Sequence, residues 1–322
     1  MDRMAVTGGA GFIGSNLAEW LTAQGNDVVI IDDFSSGKEE NLEDWSRAAG
    51  RRLEVVRANI LETGRLRQVL HSVRFVFHLA AIPSVQSSIS DPIATNSANI
   101  GGTLSVLVAS RDAGVKRVVV ASSCAVYGDE PGLPKAEEMP GSALSPYALS
   151  KQVCEQYCRL FHRLYGLETV SLRFFNVFGP RQDPRSDYAA VIPRFVLRVL
   201  SGLPPIIYGD GEQTRDFIHV RDVIRACWIA ATHPEAPGEV FNVAQGKETS
   251  LNRLVEILSR LLDRRIAPKH DPARPGEIRR SVADISRARR QLQFSPAVSL
   301  EEGLRMNLDW YRTRIEATHD TA

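Results

Sequence analysis

Tyr147-Ala148-Leu149-Ser150-Lys151 sets a phenol and an ammonium four residues apart behind Ser145-Pro146, a good helix start, so the two share one helix face. A tyrosine is a base only with help. Its ordinary pKa is about 10, and a nearby ammonium, joined by any further cation at the site, would stabilise the phenolate and bring it towards neutral pH. Such a pair arises often by chance on a surface helix, so its context decides. Upstream, Val118-Val119-Val120-Ala121 runs into Ser122-Ser123-Cys124-Ala125-Val126-Tyr127-Gly128. That places hydroxyls at the carboxyl edge of a sheet, where open α/β sheets bind ligands. Ser123 is the expected hydroxyl partner of Tyr147.

The elements that must position these groups begin at the amino end. Met4-Ala5-Val6 feeds Thr7-Gly8-Gly9-Ala10-Gly11-Phe12-Ile13-Gly14, a strand that enters a glycine-rich turn and then a helix. Gly8, Gly11 and Gly14 allow a tight turn, close approach of backbone to a pyrophosphate, and close packing of the helix on the sheet. The helix N-terminus adds free N–H groups and a positive dipole end. A second strand, Asp27 to Ile31, ends in Asp32, about 20 residues past the glycines, where an acid meets an adenosine ribose. Asp32 and Asp33, with no adjacent arginine, would repel a 2′-phosphate, so the expected cofactor is NAD rather than NADP.

Further strands at Leu53 to Arg57, Phe75 to Leu79, Arg117 to Ala121 and Thr169 to Phe174 alternate with helical stretches, two of them long, at Pro92 to Ala113 and Pro146 to Tyr165. This predicts an α/β fold: a Rossmann-type doubly wound parallel sheet with a smaller, irregular carboxyl-terminal substrate domain. The expected boundaries are an NAD-binding domain over 1–175 and a substrate-binding domain over 176–322, with part of 215–245 returning to the first. Prolines 180, 184, 193, 204 and 205 break the later pattern, which holds short strands at Ile206 to Tyr208, Phe217 to Val220 and Val240 to Val243.

With 39 basic and 38 acidic residues and no long single-sign block, the chain offers neither a nucleic-acid surface nor a polybasic membrane surface. A small-molecule partner is expected. Cys124, Cys154, Cys158 and Cys227 form no CxxC pair and no zinc spacing, so no metal is expected and the thiols read as reduced. Met1-Asp2-Arg3-Met4 enters a strand at once, and no apolar run approaches roughly 18 residues. The expected location is cytoplasmic.

Over residues 3 to 312 the chain resembles the extended short-chain dehydrogenase/reductases, and among them the nucleotide-sugar 4-epimerases. The segments that carry this include His78-Leu79-Ala80-Ala81, Asn99 before Gly101-Gly102-Thr103, and Arg173-Phe174-Phe175-Asn176-Val177-Phe178-Gly179-Pro180. Arg181-Gln182-Asp183-Pro184 with Tyr188 to Pro193 is similar to the variant in UDP-N-acetylglucosamine 4-epimerases and related UDP-glucose enzymes. The resemblance implies catalytic Ser123, Tyr147 and Lys151. It further implies cofactor contacts from Gly8, Gly11, Phe12, Ile13, Gly14, Asp32, Asp33, Asn59, Ile60, Leu79, Ala80, Ala81, Asn99, Ser122, Tyr147 and Lys151. Substrate contacts are implied for Ser84, Ser123, Tyr147, Asn176, Ala190, Val191, Tyr208, Arg215, Arg274, Glu277 and Ser281. In these contacts Arg215 and Arg274 hold the diphosphate, a task that suits the fixed guanidinium fork, and Glu277 holds the ribose. Asn59 departs from the aspartate of many members, yet it both donates and accepts hydrogen bonds.

The implied activity is reversible C4 inversion of a UDP-hexose by a homodimer formed through helices near Leu104 to Val108 and Val153 to Phe161. Small Ser281, at the position bordering the sugar's C2 substituent, implies acceptance of UDP-N-acetylglucosamine beside UDP-glucose. A nucleotide-sugar dehydratase shares the oxidation but needs an acid and a base beside the hydroxyl residue, where this chain has Cys124 and Ala125. A UDP-uronate 4-epimerase usually has threonine at Asn176. A non-enzymatic NAD sensor would have no use for Tyr147 and Lys151.

Overall fold

Runs of Val, Ile and Ala in the first half become strands buried on both faces, which is why they read as continuous rather than alternating apolar stretches. The structure, a computed structural model, describes residues 2–184, 190–273 and 278–319. Its first half alternates β1 (Arg3–Thr7), α1 (Phe12–Ala23), β2 (Asp27–Asp32), α2 (Glu40–Ala49), β3 (Leu53–Arg57), α3 (Thr63–Val69) and β4 (Phe75–His78). There follow α4 (Val85–Ser90), α5 (Pro92–Asn96), α6 (Gly102–Asp112), β5 (Arg117–Ser123), α7 (Pro146–Tyr165) and β6 (Glu168–Phe174). The second half carries β7 (Asn176–Phe178), α8 (Val191–Leu200), β8 (Ile206–Tyr208), β9 (Thr214–Arg215), β10 (Phe217–His219), α9 (Val220–Thr232) and β11 (Val240–Val243). It ends with β12 (Thr249–Ser250), α10 (Leu251–Leu261), β13 (Lys269–Asp271), α11 (Ser286–Leu292) and α12 (Leu300–His319).

Seven strands form one parallel sheet in the order β11-β6-β5-β4-β1-β2-β3. The order reverses between β1 and β4, and the crevice above that point is where such sheets receive ligands. Strand pleating sends Met4, Val6, Val28, Ile30 and Phe77 to one face, against Leu17, Leu21, Val223 and Cys227 of α1 and α9. Ala5, Val29, Ile31, Val76 and Val118 go to the other, against Leu66, Val106 and Phe161 of α3, α6 and α7. Each large side chain buried in this way stabilises the fold by about 1.5–3 kcal/mol.

The later elements form three two-stranded sheets, β7 with β10, β8 with β13 and β9 with β12. They close on a separate core of Phe178, Ile192, Phe195, Ile207, Leu254 and Leu304. From β10 the chain runs through α9 into β11, which pairs with β6 and so rejoins the large sheet. The stretch Pro92 to Ala113 is not one regular helix. A π-turn at Ser97–Gly101 separates α5 from α6, next to Gly102, where a Cβ would stand 2.3 Å from Ile60 Cδ1. Among the described residues no helix is long and apolar enough to cross a membrane.

Candidate active site

The turn between β1 and α1 is shaped by backbone alone. Gly8 has φ +68°, and a Cβ there would lie 2.7 Å from the Ala80 nitrogen. At Gly14 a Cβ would lie 2.1 Å from the Gly8 carbonyl oxygen, so any side chain would force the turn open. Gly11 caps α1 in an extended conformation without a side-chain hydrogen bond, which leaves the first N–H groups of the helix to an anion. Asp32, at the end of β2, accepts from the N–H groups of Ala10 and Phe34, both at 2.9 Å, and burial raises its pKa above the usual carboxylate value.

A cleft of about 700 Å³ opens over this turn. Gly8, Gly11, Phe12, Ile13, Gly14, Asp32, Asp33, Asn59, Ile60, Leu79, Ala80, Ala81 and Ser84 all line it. Asn59 donates to Asp33 Oδ2 at 2.8 Å and accepts from the Leu61 N–H at 2.9 Å, so its amide organises the loop beside Asp33. Ser84 caps α4 by accepting from the Ser87 N–H. A glycine cradle, an uncapped helix end and a carboxylate at the tip of β2 fit a dinucleotide: its diphosphate against α1, its adenosine ribose against Asp32.

Four expected cofactor residues do not line the cleft: Asn99, Ser122, Tyr147 and Lys151. Asn99 is buried, and its amide exchanges hydrogen bonds with the main chain of Ile82 and donates to Ser150 at 3.0 Å. It supports the cleft through Ile82, which does line it. Ser122 is also buried, because pleating turns its hydroxyl to Glu155 at 2.5 Å. Another residue was not singled out from the sequence. Arg181 lines the cleft from the second half, and its Nη2 pairs with Glu19 on α1 at 2.7 Å. Its Nε and Nη1 are buried without a hydrogen-bond partner among the described residues. A guanidinium directly after Gly179-Pro180 was the available signal in the sequence; in the structure Arg181 has φ +69°. Beside it Lys38 pairs with Asp183 at 2.7 Å across the mouth of the cleft.

The cleft reaches Ala121, whose carbonyl accepts a hydrogen bond from Lys151 Nζ at 2.8 Å. Ser145 caps α7 by accepting from Ala148 N–H at 3.1 Å, with Pro146 in the first turn, and this fixes where Tyr147 enters the site. Lys151 Nζ stands 5.9 Å from the centre of the Tyr147 ring. Ser123, at the end of β5, hydrogen-bonds the Tyr147 side chain, which favours the phenolate, but burial outweighs this and pushes the phenol up to about 12. The expected descent towards neutral pH is therefore not a property of the protein alone. Burial lowers Lys151, and it raises the Cys124 thiol to about 11, so that thiol stays protonated at neutral pH.

Of the described residues expected at the substrate, Asn176, Ala190, Val191, Tyr208, Arg215 and Ser281 do not line this cleft. Asn176 Oδ1 and Gln213 Oε1 are buried without a partner among the described residues. Arg215 Nη1 donates to the carbonyls of Thr214 and Ile278, each at 2.8 Å. Tyr208 accepts at its carbonyl from Gln213 Nε2. Ser281 is partly buried in a stretch pinned by the Arg279–Asp210 and Arg280–Glu248 ion pairs and by the Lys135 N–H to the Val282 carbonyl. Ala190 and Val191 stand at the amino end of α8. Arg274 and Glu277, like Tyr188 and Ala189, lie outside the described residues.

Residues 4–244 match the model of the NAD dependent epimerase/dehydratase family. The chain is 40% identical over 318 residues to a UDP-glucose 4-epimerase of Mycolicibacterium smegmatis, covering 98% of this chain and 100% of that one. It superposes with TM-score 0.92 and 42% identity on a UDP-N-acetylglucosamine 4-epimerase from Methanobrevibacter ruminantium, solved with UDP-N-acetylmuramic acid, over 97% and 99% of the two chains. The UDP-glucuronic acid 4-epimerase of Bacillus cereus, solved with UDP-glucuronic acid and NAD, superposes with TM-score 0.88 and 32% identity, again over 97% and 99%.

Proposed function

Because the chain belongs to the NAD-dependent epimerase/dehydratase family, we propose that its reaction is the reversible inversion of C4 in a UDP-hexose. What carries the reading is Tyr147 beside Ser123, with Lys151 bonded to Ala121 where the dinucleotide cleft ends. Tyr147 takes the proton of the 4-hydroxyl while Ser123 hydrogen-bonds that oxygen. The chemistry NAD supplies there is reversible acceptance of a hydride from C4. Lys151 and a cationic ring together supply the positive charge that the buried phenol needs in order to ionise. The 4-keto sugar then turns over within the site to present its other face, and Tyr147 returns the proton to the same oxygen while that hydride acceptance is reversed. Asn176 and Arg215 anchor the diphosphate, so affinity lies away from the ring that must rotate. Cys124 and Ala125 provide no ionised acid and base pair for elimination of water, which favours epimerisation over dehydration.

Ser281 leaves the C2 side small, so UDP-glucose and UDP-N-acetylglucosamine are both substrates in this reading. The same reading makes the protein a homodimer. Helix α7 packs against α6, and on them Leu104, Val108 and Val153 are only half-buried and Leu160 is 44% exposed, apolar side chains of the kind a partner covers. The functional test is incubation of the purified protein with UDP-glucose, UDP-N-acetylglucosamine and UDP-glucuronate, followed by separation of C4 epimers. Conversion of the first two supports the proposal. Conversion of UDP-glucuronate alone, or loss of water or carbon dioxide from any of them, contradicts it.

A further inference from the structure

Below the catalytic end of α7 lies a buried ion pair that the reaction as described does not use. Glu155 stands one turn beyond Lys151 and is 5% exposed. Its Oε1 accepts from the Ser122 hydroxyl at 2.5 Å and from Arg173 Nε at 2.9 Å, and its Oε2 accepts from Arg173 Nη2 at 2.8 Å. Arg173 Nη1 donates onward to the Tyr127 hydroxyl at 2.9 Å, and that hydroxyl donates to Asn242 Oδ1 at 2.6 Å. A single carboxylate thus joins α7 to β5, β6 and, through Tyr127, β11.

Packing alone does not call for this arrangement. Well-packed apolar side chains of similar volume commonly replace a buried ion pair at no loss of stability. The place of the pair is what matters. Lys151 holds the carbonyl of Ala121, Glu155 holds the hydroxyl of Ser122, and the next residue along β5 is Ser123. Two successive turns of the helix that presents Tyr147 are therefore fastened to two successive residues of the strand that presents its partner. Glu155 also favours the ammonium of Lys151 against the burial that opposes it.

We propose that Glu155 is a positioning residue, which holds Tyr147 and Ser123 in register across the seam between α7 and β5 and supplies the counter-charge of Lys151. The inference rests on the roles given to Tyr147, Ser123 and Lys151 above.

The groups facing this cluster fix the sign of the effect. Cys154 and Cys158 on α7 and Cys124 after β5 have thiols raised by burial, and His78 on β4 is pushed down to about 3, so all four are neutral near pH 7. Behind Arg173, Tyr127 is raised to about 12, and Glu137 accepts from Arg173 only through its carbonyl. Removing the charge of Glu155 therefore takes a negative charge from one turn beyond Lys151 and leaves Arg173 behind it without its carboxylate. Both protons of the Tyr147–Lys151 pair are then lost at lower pH, and the apparent values belong to the pair rather than to either residue.

The test is single-turnover reduction of the copurified NAD by UDP-glucose, UDP-N-acetylglucosamine and UDP-glucuronate, from about pH 5 to about pH 10, in wild type and three variants. Glu155→Gln should move both limbs of the rate profile about one unit towards acid and lower the rate about tenfold, with half-saturating substrate within about twofold. Glu155→Asp keeps the charge but is too short to reach Ser122 and Arg173 together. It should lower the rate without moving the profile. Ser122→Ala should lower the rate roughly 3- to 10-fold with profile and saturation unchanged. A Glu155→Gln profile superimposable on wild type overturns the proposal. If that variant does not fold, wild-type rates in both Glu155→Asp and Ser122→Ala overturn it. Sugar oxidation without a C4-epimer product defeats the epimerase reading alone, since the profiles still decide Glu155. Failure of all three sugars to reduce the cofactor overturns both.

Discussion

The two sides of the cleft are built differently. On the dinucleotide side the shape comes from backbone, and the polar side chains find partners within the fold: Asp32 with two N–H groups, Asn59 with Asp33 and Leu61, Asn99 with Ile82 and Ser150. Asn176 Oδ1 and Gln213 Oε1, on residues expected at the sugar, are buried with no partner among the described residues, and so are two nitrogens of Arg181, which lines the dinucleotide side. An unmade hydrogen bond on a buried group costs about 1–3 kcal/mol, so a ligand atom that bonded these groups would recover that cost. One side is organised in advance to hold a cofactor through many cycles. In the proposed reaction the other would be completed by the sugar nucleotide, which must enter, turn and leave.

Substitutions should separate the two sides. The largest effect is expected at the seam between them, where Tyr147→Phe removes the proton acceptor and keeps the ring. Turnover should fall at least about 100-fold while copurified NAD and substrate saturation change little. Steady-state rates with a count of bound NAD check this, and near-normal turnover would remove Tyr147 from its role.

On the cofactor side, Gly14→Ala places a Cβ 2.1 Å from the Gly8 carbonyl oxygen, and the backbone must yield. An overpacking cost of about 1–3 kcal/mol or more corresponds to NAD retention lowered roughly tenfold or more, whichever sugar is offered. NAD released on denaturing the purified variant measures this. Retention at the wild-type level would show that the turn is not what holds the cofactor.

A smaller and selective effect belongs to the sugar side. Ser281→Tyr should cost UDP-N-acetylglucosamine turnover at least about fivefold by filling the C2 side, and leave UDP-glucose turnover and NAD content unchanged. Competition between the two sugars in one reaction is the sensitive assay. Equal losses on both would take Ser281 out of the selection.

What the sequence made legible follows the same division. The turn of Gly8, Gly11 and Gly14, Asp32 at the end of β2, and Tyr147 with Lys151 behind the Ser145 cap are each set by residues close together in the chain, so their spacing carries their geometry. The rest depends on contacts between distant segments. Nothing near Ser122 shows that its hydroxyl turns to Glu155, and nothing near Asn99 shows that a π-turn aims it at Ile82. Arg181 meets the cleft only because its segment is tied to α1 by Glu19 and by Asn16, whose amide donates to the Pro180 carbonyl. The height of the Tyr147 pKa reflects burial, a property of the whole fold that a spacing of four residues does not contain.

The central claim is that C4 is oxidised and reduced again within one cofactor-loaded site. UDP-glucose carrying deuterium at C4 tests it most directly, with the protein as purified in ordinary water and no added nucleotide. The account predicts UDP-galactose that keeps its deuterium at C4, with no free NADH accumulating. Loss of the label to solvent, or a requirement for added NAD in each turnover, would contradict it.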